Sequence, residues 1–518
     1  MAERQVHAPE PPSPNPLPPS GTNHPARGRG LLPPERISRL TGYGFTTAAD
    51  GYLYRPTTVD EIREVLKAAS KAGRQVTLRG AGRSYGDANI GAECVVIDTS
   101  RMRQILSWDQ ATGLIDCEAG VTIEDLWRHV LEDGYWPPVV SGTMFPTLGG
   151  ALAMNIHGKN NFCAGTLGEH VVEMDVLTAA GELLKLTPAD DLFYAVISGF
   201  GSFGIITRVK LRMKRVHGGD VTVLPVSAAN WDEQFAAFEE YEANADYMVS
   251  WVDCFGRGKR AGRGLFHAAW YEPSPTHRLT DSPSHPLTAS PTHPLTASAH
   301  QPITLRPENQ DLPDTVVGRI PKSIVWRFLK KLCNRPGMHF LNWAKYKSSR
   351  MLGNGKTHSQ SLVAFSFLLD YVPNWRNAYL PHGFIQYQSF VPKDRAKEVF
   401  AKQTELQQKF RLESFLAVMK RHRPDRFLFS HAVDGYSLAL DFKVTRRNRA
   451  RLWELCYEMN DLVHSAGGRF YFAKDSTLRP SDVKAFMGAP ALARYREIKA
   501  KLDPGGLFTS ELARRLEL

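Results

Sequence analysis

Between Leu40 and Asp98 the apolar positions follow two rhythms. In VDEIREVLKAASKAG they recur every three or four residues and put Ile62, Val65, Leu66 and Ala69 on one face, which predicts an amphipathic helix. Thr58 is placed to cap its start, Asp60 and Glu61 lie where the helix dipole favours negative charge, and Gly73 ends it. Around it, YLYRP, QVTLR and CVVID are short apolar runs bounded by turn residues and predict strands. The next stretch, GLIDCEAGVTIEDLWRHVLEDGYWPPVVSGT, predicts strand, helix and strand, with the helix at Ile123 to Leu131. DDLFYAVI then predicts a helix and IITRVKLRM a strand. Strands and helices mix without strict alternation, so the fold class is α+β.

Beyond about Val216 the segments grow longer and richer in aromatics. Tyr247 to Cys254, Leu265 to Tyr271, Ser361 to Tyr371 and Gly383 to Phe390 predict strands of a second sheet. YSLALDFKV predicts another strand, and RNRARLWELCYEMNDLVHSAG and ALARYREIKAKL predict helices. Two segments break the pattern. Residues 1–33 are rich in proline and polar side chains, and Pro275 to Ser298 holds three copies of an octapeptide, PTHRLTDS, PSHPLTAS and PTHPLTAS. Neither composition can build a core, so a disordered tail and a disordered insertion at about 273–315 are expected. The periodic His277, His285 and His293 follow from the repeat and are not assigned to a metal.

Charge changes the picture locally. Lys and Arg total 64 against 53 Asp and Glu, a net +11, which suggests anionic partners. From Pro321 to Arg350 there is no acid at all. There PKSIVWRFLKKLCNRP places Ile324, Val325, Phe328, Leu329 and Leu332 at helical spacing opposite basic residues. That pattern suits an interfacial membrane helix or an ordinary core-packing helix with solvated lysines. The six cysteines form no CxxC pair, so neither a zinc site nor a disulfide framework is indicated. No apolar run reaches the roughly 18 residues of a membrane span, and the N-terminal stretch lacks the apolar centre of a secretory signal. A cytoplasmic location, with peripheral contact at the inner membrane, is the expectation.

Candidate chemistry gathers in two loops. RGAGRSYGD, Arg79 to Asp87, follows a strand and offers a nest of backbone N–H groups suited to phosphate. Its spacing, and the strand that follows it, differ from a Rossmann fingerprint. GFGSFG at Gly199 to Gly204 has the G-x-G-x-x-G spacing in reversed context, between a helix and a strand, and reads as a turn. Leu148 to His170 packs Gly149, Gly150, Ala151 and Ala153 into a thin wall against which a flat ligand could lie. His157 and Lys159 stand two residues apart behind it.

Together RGAGRSYGD, GGALAMNIHGKN, GFGSFGII, FIQYQ and YFAKDS resemble the FAD-linked oxidases of the vanillyl-alcohol oxidase type, and within them the branch acting on polyprenyl-phosphoryl ribose. The likeness covers most of Leu40 to Leu518. It implies an FAD domain at 34–215 with a C-terminal return at 468–518, and a substrate domain with an antiparallel sheet at 216–467. By the same resemblance FAD would contact Leu78, Arg79, Gly80, Ala81, Gly82, Arg83, Ser84, Tyr85, Gly86, Asp87 and Ala88. It would continue along Gly142, Thr143, Thr147, Leu148, Gly149, Gly150, Met154, Asn155, Ile156 and His157, with Ile206 and Tyr471 closing the site. Arg83 occupies the position at which some relatives carry a flavin-linked His, so noncovalent FAD is implied. Lys474 is the expected group for holding or deprotonating the substrate hydroxyl, His157 and Lys159 would sit by the ring and the substrate phosphate, and Gln386 and Gln388 would offer amides from one strand face.

The implied reaction oxidises the C2 hydroxyl of a polyprenyl-phosphoryl ribose to a 2-keto sugar. A short-chain reductase partner would complete an epimerisation that supplies the arabinose donor of cell-envelope glycans. Neither a metal nor nucleic acid is implied. Two departures stand out, Ala439 where the family often has a cysteine attacked by nitroaromatic inhibitors and Ser437 where it has Asn. Other readings are an FAD oxidase of a soluble alditol, aldonolactone or other sugar, and a non-catalytic basic binding protein.

Overall fold

A computed structural model describes residues 32–272, 303, 305–316 and 320–518. The expected tail, up to residue 31, and the octapeptide repeat lie outside the described residues.

The first half contains two sheets. Ile37–Thr41 pairs antiparallel with Ala48–Tyr54, while Ala48–Tyr54 and Val76–Arg79 run parallel to Val95–Asp98 on its two sides. The helix Val59–Ala72 makes the crossover, with Thr58 Oγ1 accepting from Glu61 N at 3.2 Å and Gly73 in the left-handed region at φ 64°. Its apolar face, Ile62, Val65, Leu66 and Ala69, packs on Val76, Val95 and Ile97. The second sheet is antiparallel, in the order Ile105–Asp109, Leu114–Glu118, Ile205–Arg212, Val171–Leu177, Leu183–Leu186. GFGSFG is a turn from the helix Asp191–Val196 into the strand Ile205–Arg212. Gly204 holds φ 147°, and a Cβ there would lie 2.7 Å from Val176 Cγ1.

The second half is built on an eight-stranded antiparallel sheet. Its order is His358–Ser361, Asp220–Ala228, Gly264–Tyr271, Tyr247–Val252, Leu416–His422, Gly435–Lys443, Phe384–Pro392, Arg469–Phe470. One face is covered by the helices Trp231–Tyr241, Lys393–Lys409 and Arg449–Ser465, which bury Phe235, Phe238, Val399, Phe400, Leu452 and Leu455. Because strand side chains alternate, the other face carries Val249, Trp251, Val418, Lys420, Gln386, Gln388 and Ala439 into a cavity against the first half.

The structure departs from the sequence reading in three places. Ser361 to Tyr371 is not a strand: Ser361 ends one, and its Oγ accepts from Ala364 N at 3.2 Å to open the short helix Leu362–Ser366. Within the expected insertion, residues 305–316 are ordered, because Asn309 Nδ2 donates to Gly219 O at 2.9 Å and to Asp220 Oδ1 at 2.7 Å and Arg306 pairs with Asp220. The C-terminal return first adds Arg469–Phe470 to the large sheet and only then crosses to the first half, where Tyr85 N donates to Ala473 O at 2.8 Å. The last helix, Glu511–Leu516, brings Arg515 to Asp87 at 2.7 Å and to Asp475 at 2.8 Å. No helix of the described residues is long and apolar enough to cross a membrane.

Candidate active site

A cavity of about 540 Å³ runs between the two halves. At one end lies the loop after Val76–Arg79. Gly82 takes φ 65°, and a Cβ on Gly80 would fall 2.1 Å from Thr147 Oγ1, so the loop presses its backbone onto the opposite wall. Among the described residues no acceptor is found for the backbone N–H of Ala81, Gly82, Arg83 or Ser84. Arg83 lies over the rings of Tyr43 and Phe145, 5.3 and 4.8 Å from their centroids, and its buried Nε has no partner. Unengaged donors of this kind suit a diphosphate.

The middle of the cavity is a thin wall. Thr147 caps the six-residue helix Leu148–Ala153, and Gly149, Gly150, Ala151, Ala153, Met154 and Ile156 line the space with Ile206. That breadth without bulk suits a flat tricyclic ring. Of the expected cofactor contacts, Leu78 through Tyr85, Ala88, Gly142, Thr143, Thr147, Gly149, Gly150, Met154, Ile156, His157, Ile206 and Tyr471 border the cavity.

Four others do not. Gly86 is packed on the C-terminal return, where a Cβ would lie 1.9 Å from Asp475 O, and Asp87 is held by Arg515. Leu148 is fully buried in the core behind the wall. Asn155, at φ 46°, donates to Thr166 Oγ1 and accepts from Gly168 N, so it shapes the backbone behind His157.

Elsewhere on the cavity lining the polar side chains expected from the sequence converge. Gln388 donates to His157 Nε2 at 3.2 Å and to Ser437 Oγ at 3.3 Å. Ser437 in turn donates to Nε2 of His422 at 2.8 Å, and His422 Nδ1 donates to Asn161 Oδ1 at 3.0 Å. Both imidazoles are held neutral: burial pushes His157 and His422 well below the usual histidine range, and Lys420 reinforces the effect. His157 Nδ1 is buried without a partner. Lys159 borders the cavity, but its Nζ donates to Phe365 O and lies 4.1 Å from the Phe365 ring centroid, and burial pushes its pKa well below the usual lysine value. It therefore ties the wall to the helix Leu362–Ser366.

Lys474 follows the tight turn in which its N–H donates to Tyr471 O, and its Nζ sits 3.7 Å from the centroid of Tyr85. Burial lowers its pKa from 10.5 to about 7. Asp441 faces it from the sheet, accepts a hydrogen bond from Gln386 Nε2, and is raised by burial, with one carboxylate oxygen left unpartnered. A lysine and a carboxyl poised near neutrality can each exchange a proton at physiological pH.

Sequence reasoning missed Lys420, His422, His431 and Asp441. Lys420 borders the cavity with its pKa lowered by burial to about 8. His431 packs 5.2 Å from His157 and 4.4 Å from Tyr471, with neither ring nitrogen partnered. The usable signal was alternation: Leu416, Val418 and Lys420 share a strand face, as do Ala439 and Asp441 on the next strand.

The nest, the flat wall and the proton-exchanging end define an FAD-linked oxidoreductase, and residues 51–187 match the FAD binding domain family. The chain is 33% identical over 500 residues to decaprenylphosphoryl-β-D-ribose oxidase of Mycolicibacterium smegmatis, spanning 94% of this chain and 98% of that one. It belongs to the family of that enzyme. An uncharacterized protein in the mprA 5′ region of Streptomyces coelicolor is 27% identical over 77% of this chain and 100% of its own. L-gulono-1,4-lactone dehydrogenase of Mycobacterium tuberculosis is 29% identical over 33% of this chain and 39% of its own.

Proposed function

We propose that this oxidoreductase oxidises the C2 hydroxyl of a polyprenyl-phosphoryl ribose to the 2-keto sugar, the first half of an epimerisation that a short-chain reductase completes. The observation that carries the reading is the convergence of Lys474, Gln386, Gln388 and His157 on the cavity, with Lys474 set against Tyr85 of the anion loop. The relative matched over nearly its whole length supports the substrate class, whereas the lactone dehydrogenase matches over a third of this chain.

Bound FAD supplies the acceptor for the hydride leaving C2. The protein's part is to place that carbon and take the hydroxyl proton. Neutral Lys474 accepts the proton at Nζ, and Asp441, fixed by Gln386, stabilises the ammonium that forms. Gln388 holds His157 with its Nε2 as acceptor, so the proton sits on Nδ1, which has no partner in the protein. FAD is held without a covalent link, by the loop donors and Arg83, and acid precipitation should release it. The test is anaerobic titration with a polyprenyl-phosphoryl ribose against free alditols and aldonolactones. Bleaching of the flavin by the lipid-linked sugar supports the proposal, and bleaching by the free sugars alone overturns it.

A further inference from the structure

Nine large apolar side chains are strongly exposed among the described residues, and six of them, Phe328, Phe340, Trp343, Met351, Leu352 and Leu368, fall within residues 328–368. They are 46% to 78% exposed. The helix Arg335–Leu352 has two faces. Inward, Asn342 Nδ2 donates to Asp253 and Tyr346 packs beneath Arg263. Outward, Phe340, Trp343, Lys347, Arg350 and Met351 recur at helical spacing, and the rings of Phe340 and Trp343 lie 6.1 Å apart. The neighbouring helix Lys322–Leu332 fully buries none of its apolar side chains and exposes Phe328 beside Arg327, Lys330 and Lys331. Leu329 seats this helix on the cluster of Tyr43, Tyr379 and Phe384, and Phe328 is left outside.

Charge points to the occupant. No Asp or Glu occurs between Asp314 and Asp370, while Lys and Arg recur throughout. Asp370 is itself engaged, accepting from Thr143 Oγ1 at 2.8 Å and Met144 N at 2.7 Å. Aromatic and aliphatic side chains flanked by cations, with no acid, match a helix lying in the headgroup layer of an anionic membrane. Lys345, Leu368, Leu369 and Tyr371 border the flavin cavity, so this surface is continuous with the cavity mouth.

We infer that the helices Lys322–Leu332 and Arg335–Leu352, with Leu368, dock the protein on the surface of an anionic phospholipid bilayer and set the cavity mouth against it. The inference rests on the lipid-linked substrate proposed above and adds the partner surface. A substrate with a long polyprenyl tail then reaches Lys474 with its tail still in the membrane.

The test is flotation of the FAD-loaded protein with vesicles of phosphatidylcholine containing roughly 30% phosphatidylglycerol. The wild type is expected to float. The double variant Phe340→Ser and Trp343→Ser, and separately Lys330→Glu with Lys331→Glu, should bind at least about tenfold more weakly while keeping the flavin spectrum. Equal flotation of wild type and variants overturns the inference, as does failure to float at any phosphatidylglycerol content. Conversion of a dimer to a monomer by Phe340→Ser and Trp343→Ser without a change in flotation also overturns it, since the face would then be a self-interface. Failure of the proposed reaction is read separately: wild type that floats but is not bleached by lipid-linked ribose loses the substrate and keeps the docking surface.

Discussion

Lys474→Met should retain bound flavin and slow substrate-driven reduction by about 10²- to 10⁴-fold, the range a positioned proton acceptor contributes. That is roughly 3–5 kcal/mol of barrier at 1.36 kcal/mol per decade. The structure also sets where pH acts. Because burial brings Lys474 from 10.5 to about 7, its neutral form is populated near neutrality, and the reduction rate should rise with pH through that region. Two neighbours act on it with opposite sign: the Asp441 carboxylate raises the lysine and the Lys420 ammonium lowers it.

Asp441→Asn should therefore move the limb to lower pH, and Lys420→Met should move it to higher pH. Asp441 and Lys474 titrate together, so the limb belongs to the pair. The same shift enters folding: between about 7 and 10.5 the unfolded chain holds a proton that folded Lys474 has released, so this group's contribution to stability grows as pH rises through that window. The assay is anaerobic stopped-flow reduction followed by oxidised-flavin absorbance across pH. Wild-type rates in Lys474→Met, or a limb that stays fixed in both neighbour variants, would refute the reasoning.

Three further outcomes are expected. Ser437→Ala leaves His422 Nε2 without its donor and removes an acceptor from Gln388, which should cost about 1–3 kcal/mol in denaturant unfolding. Arg515→Met strands Asp87 and Asp475, both largely buried; with Arg515 itself partly solvated, the loss should be about 3 kcal/mol, together with weaker flavin retention on dialysis. Because Ala439 stands in the cavity where relatives often carry a cysteine, a nitroaromatic inhibitor of the thiol-directed kind should leave the intact mass unchanged, and Ala439→Cys should gain an adduct.

What could be read from the sequence was what neighbours in the chain determine. The helix Val59–Ala72 carries its caps and its apolar face within 16 residues, Thr58 to Gly73, and the N–H loop announces itself by its glycines. The stretch Ser361 to Tyr371 misled because a short apolar run has the same appearance in a buried helix and a buried strand, and only the cap at Ser361 separates them. Lys420, His422 and Asp441 were missed for another reason: alternation assigns each to a strand face and goes no further. Their meeting depends on the register that sets Lys420 beside Ser437 and Gln386 beside Asp441, fixed by pairings between distant strands. Gln388 and His157 were assigned to one site by the family resemblance, and strand alternation added only that Gln386 and Gln388 share a face.

The ion pairs of Arg515 bear on how the molecule comes into being. Asp87, in the anion loop, waits for a partner 428 residues later in the chain. During synthesis the loop emerges early, yet its anchors at Ala473, Asp475 and Arg515 appear hundreds of residues later. Ribosome-bound fragments that end before residue 511 should therefore lack a settled cofactor loop, so FAD capture waits on a segment made long after the loop itself.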